Sequence, residues 1–180
     1  LNILWVGRNL YTKKLDLALE IISQLKKYNI KLHIVGIDDY NLFQDILEKI
    51  DIKNQVIWHG KVPHKEISKM MRNFQLFLFT SVVEGTPHVI LEAIENSLPI
   101  ICFDTCGQGE CVNEYIGIKI ELSNPKKSVC DFTDEIIKLY NDRNKLKMLS
   151  KNSAKRAREL SWSYKTCEML DFYQKGMKNN

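Results

Sequence analysis

Six short apolar runs alternate with longer amphipathic segments along this chain. Runs such as LNILWV at 1–6 and FQLFLF at 74–79 have the length and the aromatic and branched content of buried strands. The pattern predicts strands near 2–7, 31–36, 55–59, 75–79, 99–103 and 117–121. The intervening segments predict helices near 13–28, 40–50, 64–73, 87–96, 126–141 and 143–158, with a terminal helix over 162–176. In the first helix Leu15, Leu19, Ile22 and Leu25 form one apolar stripe. Pro63 and Pro87 fall where a first helical turn tolerates proline. Regular alternation of strand and helix predicts an α/β fold with a central parallel sheet of about six strands. With no internal repeat, low-complexity tract or linker, residues 1–180 form one domain.

Composition narrows the class. A chain of 180 residues with 44% hydrophobic and 27% charged positions can bury a real core. No apolar run approaches the ~18 residues of a membrane span. The chain begins on a core strand without an initiator Met, so the expectation is a fragment of a longer protein. Five cysteines form no C-x-x-C pair, and the odd count argues against a complete disulfide framework. Four scattered histidines lack metal-site spacing. Reduced thiols in the cytoplasm and no bound metal are expected, with Cys106 and Cys111 read as buried small residues.

Charge is uneven. Residues 138–178 carry eleven Lys and Arg against four Asp and Glu, a net of +7 within a total of +4. Trp162, Tyr164, Phe172 and Tyr173 accompany this basic end. A basic, aromatic-bearing helix suits either packing against a further domain or peripheral contact with the inner face of an anionic membrane. No nucleic-acid-binding motif accompanies it.

Candidate chemistry centres on EGTPHVILEA at 84–93. Glu84 follows a predicted strand, on a turn at the carboxyl edge of the sheet, where open α/β folds bind ligands. Gly85 lets backbone approach a ligand, and the helix start that follows offers free N–H groups to phosphate. Glu84 and Glu92, eight residues apart, suit a polyhydroxylated ligand because carboxylates accept hydrogen bonds from hydroxyls. The plainer alternative is two exposed glutamates on a surface helix. Arg8 and Lys13 follow the first strand and so belong to the same edge. Asp38 and Asp39 read as caps for the helix from 40 rather than as a metal pair. The absence of G-x-G-x-x-G after the first strand weighs against a dehydrogenase.

Five landmarks in order carry a family resemblance. They are Val6-Gly7-Arg8 with Lys13, LHIVG at 32–36, Ile57-Trp58-His59-Gly60, the E-x7-E pair Glu84 and Glu92, and CGQGE at 106–110. Together the chain, from residue 2 to about 175, resembles the retaining glycosyltransferases of family 4. Those enzymes have the GT-B architecture of two Rossmann-like domains, and this chain resembles only the second, donor-binding one. The resemblance implies a Rossmann-like three-layer sandwich whose terminal helix packs back toward an N-terminal acceptor domain. It also implies a nucleoside diphosphate sugar as donor, with UDP favoured over GDP or ADP. A hexose or aminohexose would pass to a glycan or lipid-linked acceptor, with no metal.

Site roles follow from the same resemblance. Arg8 and Lys13 would stabilise charge developing on the leaving diphosphate. Glu84 would contact the transferred sugar, and Glu92 the ribose 2′- and 3′-hydroxyls. Gly7 shares the Arg8 loop. Gly36, Gly60 and Lys61 would line the base. Gly85 and the backbone of Thr86, His88, Val89 and Ile90 would face the phosphates, and Gly107 would approach the sugar. Two departures stand out. Lys14 occupies a position where the family usually has glycine, leaving open which of Lys13 and Lys14 meets phosphate. Thr86-Pro87 replaces the common Phe-Gly, and Pro87 removes one N–H donor. A non-enzymatic nucleotide- or partner-binding module is the alternative, and geometry separates the two. The transferase reading requires Arg8, Lys13, Glu84 and Glu92 to line one cleft.

Overall fold

The computed structural model describes residues 1–8 and 11–178. Six strands, β1 (Asn2–Val6), β2 (Lys31–Val35), β3 (Val56–Trp58), β4 (Leu76–Phe79), β5 (Ile100–Phe103) and β6 (Gly117–Ile120), form one sheet. Their order is β3-β2-β1-β4-β5-β6, and every pairing is parallel. The chain therefore moves outward from β1 through β2 to β3, then restarts on the other side of β1 at β4. Right-handed crossovers send the helices of the two halves to opposite faces.

The side-chain pattern matches. Ile3, Trp5, Leu76, Leu78, Ile101 and Phe103 face one core, shared with α1 (Leu15–Ser23), α2 (Gln44–Ile50) and α6 (Pro125–Asn141). Leu4, Phe77, Phe79, Ile100 and Cys102 face the other, against α3 (His64–Met71) and α4 (His88–Glu95). Strand β4 is buried on both faces, as a central parallel strand must be. The short α5 (Cys106–Cys111) follows β5, α7 (Arg143–Glu159) packs on α4 and α6, and α8 (Trp162–Lys178) ends the chain.

Several boundaries differ from expectation. The helix expected over 13–28 is a single 3-10 turn, Tyr11–Lys13, and then α1. Lys14 between them has a left-handed backbone (φ 48°), which an α-helix cannot absorb. The expected helix 40–50 likewise begins as a 3-10 turn, Tyr40–Phe43. Asp39 caps that turn by accepting from the Asn41 N–H (3.1 Å), whereas Asp38 pairs elsewhere. Pro63 and Pro87 sit at the N-cap positions, one residue earlier than expected. Residues 106–111, read as a glycine loop, are helical. Cys106 is exposed and Cys111 half-buried, so neither is the buried small residue expected; burial pushes the Cys102 thiol up to about 12 instead. Along α8, Trp162, Phe172 and Met177 are among the exposed apolar side chains. Among the described residues, no helix is long and apolar enough to cross a membrane.

Candidate functional site

The order reversal between β1 and β4 leaves a crevice at their carboxyl ends, because the following connections diverge to opposite sides. Gly7 and Arg8 leave β1 there, and Thr80 to Glu84 leave β4. Of the loop from Arg8 to Lys13, Asn9 and Leu10 lie outside the described residues.

Thr80 ties the two loops together. Its fully buried hydroxyl accepts from the Trp5 indole N–H (3.0 Å). It donates to the carbonyl of Lys13 or of Lys14 (2.8 and 2.9 Å). The Val82 N–H adds a bond to the Thr12 carbonyl (3.1 Å). Lys13 is thereby fixed beside Glu84, and the two form an ion pair in which each side chain is only 19% exposed. The Lys13 ammonium also lies 5.5 Å from the centre of the Phe79 ring. Lys14 turns away, its ammonium 3.9 Å from the Tyr11 ring centre. Of the two lysines, Lys13 faces the crevice. Thr80→Val is expected to lower stability by about 1–3 kcal/mol, since it strands the buried Trp5 N–H. Thermal unfolding of the variant checks this, with a shift of several degrees expected.

The second wall is the start of α4. Pro87 is buried, and its carbonyl accepts from the N–H groups of Ile90 (2.9 Å) and Leu91 (3.3 Å). The His88 N–H is turned to the Thr86 carbonyl (2.9 Å). Among the described residues, the N–H groups of Gly85, Thr86 and Val89 donate to no protein acceptor. They form the free end of the helix dipole. The Ile90 side chain is in the core and the His88 side chain is exposed, so neither lines the crevice.

Glu92 lies one turn into α4 and is 17% exposed. Its Oε1 accepts from His64 Nε2 at 2.7 Å. Opposite, the Lys61 backbone N–H donates to Asp38 Oδ1 (3.0 Å), and its ammonium pairs with the same carboxylate. Hydrogen bonding to Lys61 holds the Asp38 carboxyl below its ordinary range. The Gly36 N–H donates to the Gly60 carbonyl (2.8 Å), which joins the loops after β2 and β3.

Together these residues bound a cleft of about 440 Å3, lined by Gly7, Arg8, Lys13, Gly36, Lys61 and His64 over an apolar floor that includes Val89. Glu84 and Glu92 enter through their partners Lys13 and His64, both on the lining. Arg8 is exposed and, among the described residues, has no ion-pair partner. Of the four residues, Arg8 and Lys13 line the cleft, while Glu84 and Glu92 stand behind it, each bonded to a lining side chain. Gly107 supports the arrangement from behind. Its N–H donates to the Glu84 carbonyl (3.1 Å), and a Cβ there would stand 1.9 Å from the Gly85 oxygen.

His64, Asp38 and Thr80 were not expected to take part. Thr80 left a signal: a hydroxyl closing the apolar strand LFLF must find a buried partner. His64 and Asp38 left none, because their contacts with Glu92 and Lys61 cross between elements.

The model of the family "Glycosyl transferases group 1" matches residues 2–156. The chain belongs to this family. Within it, the chain is 36% identical over 105 residues to the amylovoran biosynthesis glycosyltransferase AmsD of Erwinia amylovora, covering 57% of this chain and 29% of AmsD. Protein CapJ of Staphylococcus aureus is 33% identical over 105 residues, covering 56% and 27%. The match to this group 1 glycosyltransferase domain thus spans under a third of either relative's length. Among solved structures, the pneumococcal O-GlcNAc transferase GtfA in complex with UDP and GlcNAc superposes with a TM-score of 0.78 at 20% identity. That match covers 99% of this chain and 35% of GtfA. The fold is that of a GT-B C-terminal domain.

Proposed function

We propose that this chain is the donor half of a retaining hexosyl- or aminohexosyltransferase that uses a UDP-sugar. The cleft lined by Arg8 and Lys13, with Glu84 paired to Lys13 and Glu92 paired to the lining His64, carries the reading. Two cations face the place where a diphosphate leaves, and free N–H groups at Gly85, Thr86 and Val89 meet its oxygens. Glu84 and Glu92 accept from sugar and ribose hydroxyls. Arg8 and Lys13 supply the positive charge that the leaving group needs, so the reading requires no metal. UDP is the nucleotide in the GtfA complex, and AmsD is an amylovoran biosynthesis glycosyltransferase.

In this reading a second domain of the same protein binds the glycan or lipid-linked acceptor. The apolar side chains of α8 pack against that domain, and the basic residues of α7 offer a peripheral contact to the inner surface of the membrane. The chain alone binds nucleotide and transfers nothing.

Calorimetric titration with UDP, GDP and ADP tests the reading. UDP is expected to bind preferentially, and Glu92→Ala to weaken it by about 1–3 kcal/mol through loss of charge-assisted hydrogen bonds. Unchanged affinity in that variant removes Glu92 from the site.

A further inference from the structure

We infer that His64 is a positioning residue that aims the ribose-binding carboxylate of Glu92; the inference rests on the donor-site reading above. An ionised carboxylate can only accept, so the ring nitrogen 2.7 Å from Glu92 Oε1 is the donor. The contact places the imidazole proton on Nε2 and fixes one carboxylate oxygen. Oε2 is left for a hydroxyl, and Oε1 retains a second lone pair for another. A vicinal diol fits that pair of acceptors. A glutamate has three side-chain torsions, and without the imidazole its head would sample several orientations before meeting the diol.

The arrangement belongs to a longer seam. Along α3 and its C-cap, His64, Ser68 and Arg72 recur at four-residue spacing; along α4 and its C-cap, Glu92 and Asn96 do the same. Arg72 Nε donates to Asn96 Oδ1 (2.9 Å), and Asn96 Nδ2 donates to Ser68 Oγ (3.0 Å) and to the Glu92 carbonyl (2.9 Å). The lower contacts hold the two helices at a separation that lets a residue at 64 reach position 92. His64 is the member of the seam at the mouth of the cleft, three-quarters exposed, and Glu92 beneath it is 17% exposed. Removing the imidazole therefore leaves the helix packing to Ser68, Arg72 and Asn96 and frees only the carboxylate.

The test compares the dissociation constants of UDP and 2′,3′-dideoxy-UDP for the wild-type chain, His64→Ala, His64→Gln and Glu92→Ala. His64→Ala is expected to weaken UDP by about three- to tenfold and to leave the dideoxy analogue within about twofold. His64→Gln, which keeps an N–H donor, should restore most of the UDP affinity. Equal weakening of both nucleotides would mean that His64 touches the ligand elsewhere or only shapes the cleft, and would overturn the inference. So would an unchanged ratio of the two constants in His64→Ala. A wild-type chain that fails to bind UDP, or binds both nucleotides equally, contradicts the donor-site reading itself, and the inference falls with it.

Discussion

Arg8→Ala in the intact transferase is expected to lower kcat by about 10²–10³-fold while weakening donor affinity far less. The guanidinium stands exposed at the crevice and, among the described residues, without an ion-pair partner. Lys13 differs, because Glu84 already neutralises much of its charge. Arg8 therefore holds the charge that is most available when negative charge grows on the leaving diphosphate. An interaction that strengthens only as the glycosidic bond breaks raises kcat rather than ground-state affinity. Steady-state kinetics of the variant against varied donor decide the matter. Equal losses in kcat and in donor binding would make Arg8 an ordinary binding residue.

Gly36→Ala is expected to cost roughly 3–5 kcal/mol of stability, the largest loss for any single added methyl in the cleft. Gly36 has φ +102°, which side chains rarely adopt, and a Cβ there would stand 2.2 Å from the Gly7 carbonyl oxygen. That oxygen belongs to the Arg8 loop, so any relief moves the carboxyl end of β1. Relief costs overpacking strain on top of the backbone term. Gly85→Ala is the matched control, because an added Cβ meets nothing within 4 Å. It should leave thermal stability unchanged and weaken nucleotide binding, since its N–H and bare Cα face the proposed phosphates. A Gly36→Ala variant as stable as the parent would show that the loops after β1 and β2 are less tightly opposed than described.

The strands were legible because a parallel sheet buried on both faces leaves runs such as FQLFLF and PIICF, which no surface element can carry. The carboxyl edge that holds Glu84 and Arg8 followed from their places just after predicted strands, whereas the reversal between β1 and β4 did not. Helix ends were harder. Nothing in Thr12-Lys13-Lys14 announces a left-handed lysine; that conformation is imposed by Thr80, 66 residues away in the chain, whose hydroxyl reaches the carbonyls of Lys13 and Lys14. Residues 106–111 carry two glycines and two cysteines, poor helix formers. They are helical because Gly107 bonds to the Glu84 carbonyl and buried Gln108 donates to Ser81 and Thr105. Tertiary contacts overrode propensity at both places.

The positions of the candidate residues were legible from the strands they follow. Arg8, Lys13 and Glu84 stand just past the carboxyl ends of β1 and β4, and Glu92 one turn into α4. Partners across the cleft were not legible, because no local pattern records that α3 and α4 run side by side. His64 and Asp38 became visible only when position 64 was seen to face 92 and position 38 to face 61. That Lys13 rather than Lys14 lines the cleft likewise reflects backbone direction rather than residue type.

The most direct test of the account is a crystal structure of this chain with UDP. The account predicts the diphosphate between Arg8, Lys13 and the Gly85–Val89 turn, with the ribose hydroxyls on Glu92 and the base beside Gly36 and Lys61. UDP bound at another edge of the sheet, or with its ribose out of hydrogen-bond reach of Glu92, would contradict it.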